Sequence, residues 1–335
     1  MYNKDKIEED RMVKSNEQRP TVCFFMLVTN RDAFLATHAI KSFEKLKSCF
    51  DFNWKLVVYM NCLKDELKKC ATKWWGKFDY VELVDNVDIV DIEQLVPGNT
   101  IQDDNGGEHY IEGKYEPGCV VWTREFHKSE SDYWVMVDAD FEILSPCFVL
   151  EMFDMLESDS NLIAVSSDWS GAKSKIDSYS NTAIVAMSRY HTWFCAYKRK
   201  AQQCKISFFY YKEKKYDLTL AFDDTARFQH ALKEQLGYEL KSVDYQKYKN
   251  QFIHYGAFSK NNSLDTEKKV NRYRLITILQ HRGLFANNSI IDKAIRKLFR
   301  IIHKKIYKNT IKERSHYNYH SKLDSYKVSP NNSIK

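Results

Sequence analysis

Two acidic residues follow an apolar segment near the middle of the chain. The segment VMV runs directly into Asp138, and Asp140 follows after one alanine. Carboxylates this close repel each other unless a cation or a shared proton compensates them. Oxygen ligands favour Mg²⁺ or Mn²⁺, which usually complete their coordination with substrate phosphates. The pair could therefore help a diphosphate to depart, or it could only begin the next turn.

The segments around this acidic pair alternate between predicted strands and predicted helices. Such alternation predicts an α/β fold with a mostly parallel sheet and crossover helices on its faces. Ligands of open α/β sheets lie at the carboxyl ends of the strands, which is where the acidic pair stands. The predicted strands cover residues 21–29, 54–61, 80–84, 132–137 and 162–166, and the predicted helices cover residues 32–46, 64–75, 119–128 and 150–156.

The other segments are less regular. Residues 97–118 contain most of the turn signals, so they predict a long loop. Apolar spacing beyond the fifth strand predicts a strand over residues 182–187, helices over 191–203 and 221–236, and an extended segment over 238–243.

Residues 119–146, CVVWTREFHKSESDYWVMVDADFEILSP, resemble the central segment of GT-A glycosyltransferases, particularly family-2-like ones. In that family a helix carrying Ala-Arg-Asn leads to a strand that ends in Leu-Asp-Ala-Asp-Asp, and a proline follows. Arg124 and Pro146 occupy the matching positions. The resemblance covers roughly residues 21–260 and implies a Rossmann-like GT-A fold.

The resemblance also implies a nucleotide diphosphate sugar donor, with a UDP-sugar favoured, and Mn²⁺ or Mg²⁺ as cofactor. In the family, the loops after the first two strands hold the nucleobase and the ribose. The second loop usually offers an aspartate there, so an asparagine in this chain departs from the pattern. The implied donor-binding residues are Thr29, Asn30, Arg31, Asn61, Arg124 and Asp138.

Residues 222–240, FDDTARFQHALKEQLGYEL, are similar to the family's helix that begins x-Glu-Asp and ends Gly-Tyr-x-Leu. The resemblance implies that Asp224 is the general base of an inverting transfer to a hydroxyl group. It also implies that Asp223 contacts the acceptor, which would be a glycan or a glycolipid. Both acids could instead be helix-start residues that the helix dipole favours.

Two further residues have two interpretations each. Many GT-A enzymes complete the metal site with a histidine beyond this helix, and His254 lies at about that distance. It would join Asp138 and Asp140, although a histidine on an apolar strand is often structural. Trp169 could stack on an acceptor sugar ring or belong to the core.

Three alternatives remain open. A retaining GT-A enzyme would share the D-x-D motif without needing Asp224. A HAD-type phosphohydrolase also carries D-x-D after an apolar strand, but there the motif usually opens the fold, whereas three predicted strands precede it here. A non-catalytic nucleotide-binding module would keep the fold without turnover.

Charge is distributed unevenly along the 335 residues. The net charge is +6, yet residues 268–335 contain 17 Lys and Arg against 3 acids, so the rest of the chain carries −8. Residues 290–307 place apolar side chains at helical spacing, with basic ones mostly opposite. This pattern predicts an amphipathic helix that lies on an anionic membrane surface or docks on the protein. No nucleic-acid-binding motif accompanies the charge, so no nucleic-acid partner is expected.

The domain organisation predicted from these patterns has three parts. A polar leader covers residues 1–20, the GT-A domain covers 21–265, and a basic C-terminal extension covers 266–335. The eight cysteines are scattered, with no C-x-x-C pair, which is typical of a reducing compartment. No secretory signal and no apolar run of membrane-spanning length is present in the sequence. We therefore expect a cytoplasmic protein that is peripheral on the cytoplasmic membrane face, as suits polysaccharide or glycolipid synthesis.

Overall fold

The computed structural model describes residues 19–29, 32–61, 63–86, 100–102, 108–110, 118–176, 183–209, 211–215, 218–256 and 274–275. The strands, in chain order, are β1 (Thr21–Val28), β2 (Asn53–Asn61), β3 (Val81–Asn86), β4 (Thr100–Gln102), β5 (Glu108–Tyr110), β6 (Tyr133–Asp138), β7 (Phe141–Ile143), β8 (Leu162–Ser166), β9 (Trp169–Ser170), β10 (Lys173–Ile176), β11 (Ala183–Ala186), β12 (Arg189–Tyr190), β13 (Phe194–Lys198), β14 (Tyr211–Lys215), β15 (Leu218–Phe222), β16 (Glu239–Ser242) and β17 (Phe252–His254). The α-helices are α1 (Ala33–Ser42), α2 (Asp65–Trp75), α3 (Gly118–Lys128), α4 (Cys147–Ser158), α5 (Ala226–Glu234) and α6 (Tyr245–Tyr248).

A seven-stranded sheet in the order β16-β8-β13-β6-β1-β2-β3 forms the centre of the molecule. Strand β1 pairs in parallel with β2 and β6, β2 with β3, and β16 with β8. Only β13 runs antiparallel to its neighbours in this sheet. The predicted α/β fold with a mostly parallel central sheet is therefore confirmed.

Side chains of β1 are buried on both faces of this sheet, since all of its residues after Thr21 are buried. Phe24 points to one face, where it joins a core that α1, α2 and α4 complete. Phe25 points to the other face, where α3 and α5 cover it. Each core is closely packed with aromatic rings, as in the stacked pair Phe25 and Trp134 at 5.5 Å. Helices on both faces leave the carboxyl edge of the parallel strands as the place for a ligand.

The predicted helix over residues 191–203 is wrong. Residues 194–198 form β13, which lies between β6 and β8, and a 3₁₀ turn, Arg199–Gln203, follows it. The first four residues of β13 are buried on both sides. A short apolar run that is buried on both faces has no alternation, so its periodicity does not distinguish a strand from a buried helix.

Two other predicted segments need correction. The helix predicted over residues 221–236 begins only at Ala226, because Ala221 and Phe222 end strand β15. Within the predicted loop 97–118, β4 and β5 form a short antiparallel pair. The other predicted strands and helices up to residue 166 lie within a few residues of the observed bounds, although the end of the helix predicted over 32–46 is a 3₁₀ turn, Phe43–Leu46.

The C-terminal part contributes little to the described structure. The amphipathic helix predicted over residues 290–307 and the polar leader up to residue 18 lie outside the described residues. Within the described part, no helix is long and apolar enough to cross a membrane. The division into three parts remains a prediction.

Candidate metal centre

The acidic pair lies where the fold predicts a ligand site, at the carboxyl edge of the central sheet. Asp138 is the last residue of β6, and its register partner in β1 is Leu27, next to the end of that strand. Its backbone N–H donates to the carbonyl oxygen of Trp193 at 2.9 Å, so β6 is held in place up to its last residue. The chain then turns through Ala139 and Asp140 into β7.

A second strand brings His254 to the same turn. Strand β17 pairs with β7 in antiparallel register, which sets His254 opposite Phe141. The backbone N–H of the next residue, Tyr255, donates to the carbonyl oxygen of Asp140 at 2.9 Å. The histidine is thus fixed beside the D-x-D turn by backbone pairing, although it is 114 residues farther along the chain than Asp140.

The three predicted metal ligands converge. His254 Nε2 lies 3.4 Å from Asp138 Oδ2 and 3.2 Å from Asp140 Oδ1. One ligand atom from each residue falls within 4.8 Å of the others. The Asp140 side chain is 8% exposed and that of Asp138 is 25% exposed, so the site is open to solvent on the Asp138 side.

The His254 ring is held by packing. The Trp193 indole stacks on it with a centroid distance of 4.2 Å and an interplanar angle of 28°. Gly256 also lies so close that a Cβ atom there would be 3.4 Å from the ring. His191 in turn stacks on Trp193 at 4.1 Å. The imidazole is therefore oriented by packing as well as by its strand.

The carboxylates of Asp138 and Asp140 favour a positive charge at this site. Burial alone would lower the pKa of His254, but the hydrogen bonds and charges of Asp138 and Asp140 outweigh it and raise that pKa to about 9. The pKa of His191 is lowered to about 4, because of burial first and then of the nearby Arg189 charge. Two carboxylates and an imidazole fit Mn²⁺ or Mg²⁺, and the nitrogen ligand suits Mn²⁺ better.

The predicted acidic pair Asp223 and Asp224 lies in the turn between β15 and α5. Arg189 binds this turn twice, pairing with the Asp223 carboxylate at 3.0 Å and donating to the Asp224 carbonyl oxygen at 3.2 Å. Asp223 is exposed and Asp224 is half-buried. The next residue, Thr225, has a φ of 69°, a left-handed conformation that is strained for a β-branched residue.

Trp169 is an exposed residue, not a core residue. Its side chain is 49% exposed on the two-residue strand β9. Strand β9 pairs with β12, so Trp169 lies opposite Tyr190 and beside the strand position of Arg189. The exposed indole is thus close in the fold to the residue that binds the acidic turn.

The donor-binding residues predicted by resemblance are only partly described. Thr29 follows β1 and donates its hydroxyl hydrogen to the Asp32 carboxylate at 2.7 Å. Asn61 ends β2, is 1% exposed, and accepts a hydrogen bond from the Asn86 amide at 3.1 Å. Asn30 and Arg31 lie outside the described residues. The ends of these strands nevertheless lie along the same edge as Asp138.

Arg124 lies on α3, on the face of the sheet that this helix covers. Its guanidinium donates to the Tyr59 hydroxyl at 2.6 Å and to the Glu125 carboxylate at 2.9 Å. Tyr59 is in β2, two positions before Asn61. A donor contact of Arg124 therefore remains a prediction.

Several residues around the site were not predicted. Asn86 ends β3 beside Asn61, and Trp193 and Gly256 enclose His254. Of these, Asn86 had a usable signal, because it stands at the carboxyl end of a predicted parallel strand. The stacking of Trp193 on a residue 61 positions away has no signature in a single sequence.

Comparison with known proteins finds similar solved structures only. A mannosyltransferase from Pyrobaculum calidifontis, solved with GDP-Man and Mn²⁺, is 15% identical, with 88% of this chain and 84% of that chain covered and a TM-score of 0.44. Glucosyl-3-phosphoglycerate synthase from Mycobacterium tuberculosis, solved with Mn²⁺ and UDP-glucose, is 14% identical, with 83% of each chain covered and a TM-score of 0.41. No protein-family model matches the chain, and no curated protein is significantly similar to it. Similarity of this degree does not establish a shared substrate or mechanism.

Proposed function

We propose that this chain is a metal-dependent glycosyltransferase of the GT-A type that uses a nucleotide diphosphate sugar as donor. The observation that carries the proposal is the convergence of Asp138, Asp140 and His254 at the carboxyl edge of a mostly parallel sheet. Three ligands leave coordination positions for substrate oxygens, and hard divalent ions at such sites usually bind phosphates there. The D-x-D resemblance of residues 119–146 supports the same assignment.

The metal ligands have a clear task in this chemistry. A bound Mn²⁺ or Mg²⁺ supplies a Lewis acid that neutralises the charge developing on the departing diphosphate. Asp138, the most exposed of the three ligands, faces the side from which a diphosphate would approach. Asp140 and His254 are more buried and keep the site rigid. Asn61, Thr29, Asn30, Arg31 and Arg124 are proposed to line the nucleotide side, with a UDP-sugar as the favoured donor.

Asp224 is proposed as the general base of an inverting transfer. The acceptor hydroxyl oxygen bonds to the anomeric carbon while the bond from that carbon to the diphosphate oxygen breaks. The electron pair leaves with the diphosphate, and the hydroxyl proton passes to the Asp224 carboxylate. Arg189 supports this assignment, because it holds the turn in place through the Asp223 carboxylate and the Asp224 carbonyl oxygen.

The acceptor is proposed to be a glycan or glycolipid that approaches along Asp223 and Trp169. The exposed Trp169 indole offers a flat apolar surface of the kind that stacks on a sugar ring, and Asp223 could accept hydrogen bonds from sugar hydroxyls. The basic segment 290–307 is proposed to bind an anionic membrane surface, which would bring the enzyme to a lipid-linked acceptor on the cytoplasmic face.

A thermal-shift measurement with UDP, GDP, CMP and TDP, each with and without Mn²⁺, tests the proposal. A ligand that binds only the native state raises the melting temperature, and at about a hundred times its Kd it adds about 2.7 kcal/mol of stability. We expect one nucleotide to stabilise the protein by several degrees only when Mn²⁺ is present. The double variant Asp138→Ala/Asp140→Ala should lose this shift.

A matched control removes two acids at the opposite edge of the sheet. Asp51→Ala/Glu130→Ala eliminates two exposed carboxylates that precede β2 and β6. This variant should keep the full metal-dependent shift. No shift with any nucleotide at millimolar concentration would reject the proposed glycosyltransferase.

A further inference from the structure

Glu142 is a buried acid directly behind the metal centre. Its side chain is 2% exposed, and Arg274 binds it with two nitrogens, Nε at 2.8 Å and Nη2 at 2.7 Å. The Tyr255 hydroxyl donates to the same carboxylate at 2.6 Å. Both Glu142 oxygens are therefore hydrogen-bonded, and the negative charge has a bidentate partner.

Two members of this network, Glu142 and Tyr255, stand within two positions of a metal ligand in the chain. Glu142 stands two positions after Asp140, and Tyr255 immediately follows His254. Glu142 is on β7, and its register partner on β17 is Ile253, so the two strands that carry the ligands meet at this point. Tyr255 contacts both Asp140 and Glu142. Its backbone N–H donates to the Asp140 carbonyl oxygen, and its hydroxyl donates to the Glu142 carboxylate.

We propose that Arg274 is a positioning residue of the metal centre, which holds β7 and β17 in the arrangement that brings Asp140 and His254 together. The proposal rests on the proposed metal site. Arg274 does not touch the ligands; it acts through Glu142 and Tyr255.

The energetics support a strong effect. A carboxylate buried to this degree is stable only with a cation or a full set of hydrogen bonds. Among the described residues, Lys45 is a second cation near Glu142; its Nζ donates to the Ile143 carbonyl oxygen at 2.9 Å, and its pKa is lowered by burial. Lys45 therefore compensates Glu142 less well than the bidentate guanidinium does. Without Arg274, the buried Glu142 carboxylate loses its bidentate partner, and any outward turn of its side chain breaks its hydrogen bond to Tyr255.

Arg274 also belongs to the basic stretch that begins after residue 265. The metal centre thus depends on a residue beyond the core sheet, and the first part of the extension is attached to the catalytic part through a buried ion pair. A protein shortened at residue 265 would lose this pair and leave the Glu142 charge uncompensated.

The Mn²⁺ dissociation constant of the full-length protein, measured by calorimetry below the melting temperature of each variant, tests this role. Residues that orient metal ligands from behind typically contribute about 10- to 100-fold in metal affinity. We expect Arg274→Met to weaken Mn²⁺ binding by at least about tenfold on this basis. Arg274→Lys should recover part of the loss, because it restores the charge without the second hydrogen bond.

Arg227→Met is the matched control. Arg227 is also a partly buried arginine, 17% exposed and paired with Glu213 at 2.6 Å, but it touches neither ligand strand. It should lower the melting temperature without changing the Mn²⁺ dissociation constant. A merely structural role of Arg274 would give the same result for both arginine variants.

The possible outcomes distinguish an error in the proposed role of Arg274 from an error in the proposed metal site. If the unsubstituted protein does not bind Mn²⁺ at millimolar concentration, the metal site itself is wrong. If it binds Mn²⁺ and folded Arg274→Met binds equally well, only the role of Arg274 is overturned. Should Arg274→Met not fold, Glu142→Gln/Arg274→Met removes the buried charge as well. Unchanged Mn²⁺ affinity in that double variant would also overturn the role.

Discussion

Asp224 is the proposed general base, and a substitution can test that role directly. It begins the segment that enters α5, and its turn is tied to Arg189 rather than left free. The neighbouring Asp223 carboxylate pairs with Arg189 at 3.0 Å, and this pair helps to hold the turn. The role of Asp224 as general base remains a prediction.

Asp224→Asn removes the base without changing the shape of the side chain. General-base catalysis typically contributes about 10²- to 10⁴-fold, so kcat should fall by about that factor. The KM for the donor should change little, because Asp224 is assigned no donor contact. Steady-state kinetics with the donor identified by thermal shift measures both constants. Near-normal turnover in Asp224→Asn would favour a retaining enzyme. Asp223→Asn is the neighbouring comparison, and it should raise the KM for the acceptor.

Site residues that lie near one another in the sequence were predictable at the residue scale. Contacts between distant residues were predictable only through resemblance or not at all. Asp138 and Asp140 were predictable because both stand within three positions of an apolar strand end. His254 was predictable only through resemblance to a family, and the structure confirms that it lies beside the two acids. Trp193 and Arg274 had no signal, since stacking and ion pairing between distant residues leave no spacing pattern in one sequence.

At the element scale, the metal centre is built from two short strands rather than from the central sheet alone. Strand β6 delivers Asp138, whereas Asp140 and His254 depend on the β7–β17 pair. The chain leaves β17 through Gly256, whose φ is +36°. This glycine combines a backbone conformation that L side chains rarely adopt with close contact to the His254 ring.

Gly256→Ala and Gly237→Ala form a matched pair that separates backbone strain from damage to the site. Gly237, which follows α5, has a φ of +69°, but a Cβ atom added there would meet no other atom within 4 Å. Each substitution should cost about 1 kcal/mol or more of unfolding free energy for the left-handed backbone. Only Gly256→Ala should also weaken Mn²⁺ binding, by about tenfold, because its strained backbone lies two residues after His254 and relaxation there would shift the imidazole that it contacts. Equal Mn²⁺ affinities in the two variants would show that Gly256 does not support His254.

Element types were predictable where the pattern was long or regular. The parallel strands β1, β2, β3 and β6 and the helices between them follow from apolar runs that alternate with helical spacing. Strand β13 was predicted as a helix because its four buried residues, FCAY, are apolar throughout and have no alternation. Strand β13 lies antiparallel between β6 and β8 because it pairs with distant parts of the chain, and the local sequence pattern does not encode that pairing.

At the scale of the whole molecule, charge is distributed unevenly along the chain. Residues 268–335 carry +14 and the rest of the chain carries −8. Arg274 ties the beginning of this basic stretch to Glu142, behind the metal centre. The role of the basic residues beyond Arg274, including contact with an anionic surface, remains a prediction.

Vesicle co-sedimentation tests whether that surface is a membrane. Each Lys or Arg near an anionic bilayer contributes about 1 kcal/mol, so replacing Lys293, Arg296, Lys297 and Arg300 by Gln should weaken binding by more than about tenfold. The vesicles contain equal parts of phosphatidylglycerol and phosphatidylcholine, and phosphatidylcholine vesicles alone should bind weakly. Raising the salt concentration should weaken binding to the anionic vesicles, because surface charges are screened.

The matched control for the membrane test changes net charge by the same amount elsewhere. Lys69, Lys73, Lys233 and Lys249 are exposed on the body of the protein, and their replacement by Gln should leave vesicle binding almost unchanged. Equal losses in the two quadruple variants would mean that net charge, and not the segment 290–307, attracts the vesicles. If the unsubstituted protein does not sediment with anionic vesicles, the proposed membrane contact of the segment 290–307 is wrong. That result would leave the metal centre untouched, since no residue of the segment is assigned a role there.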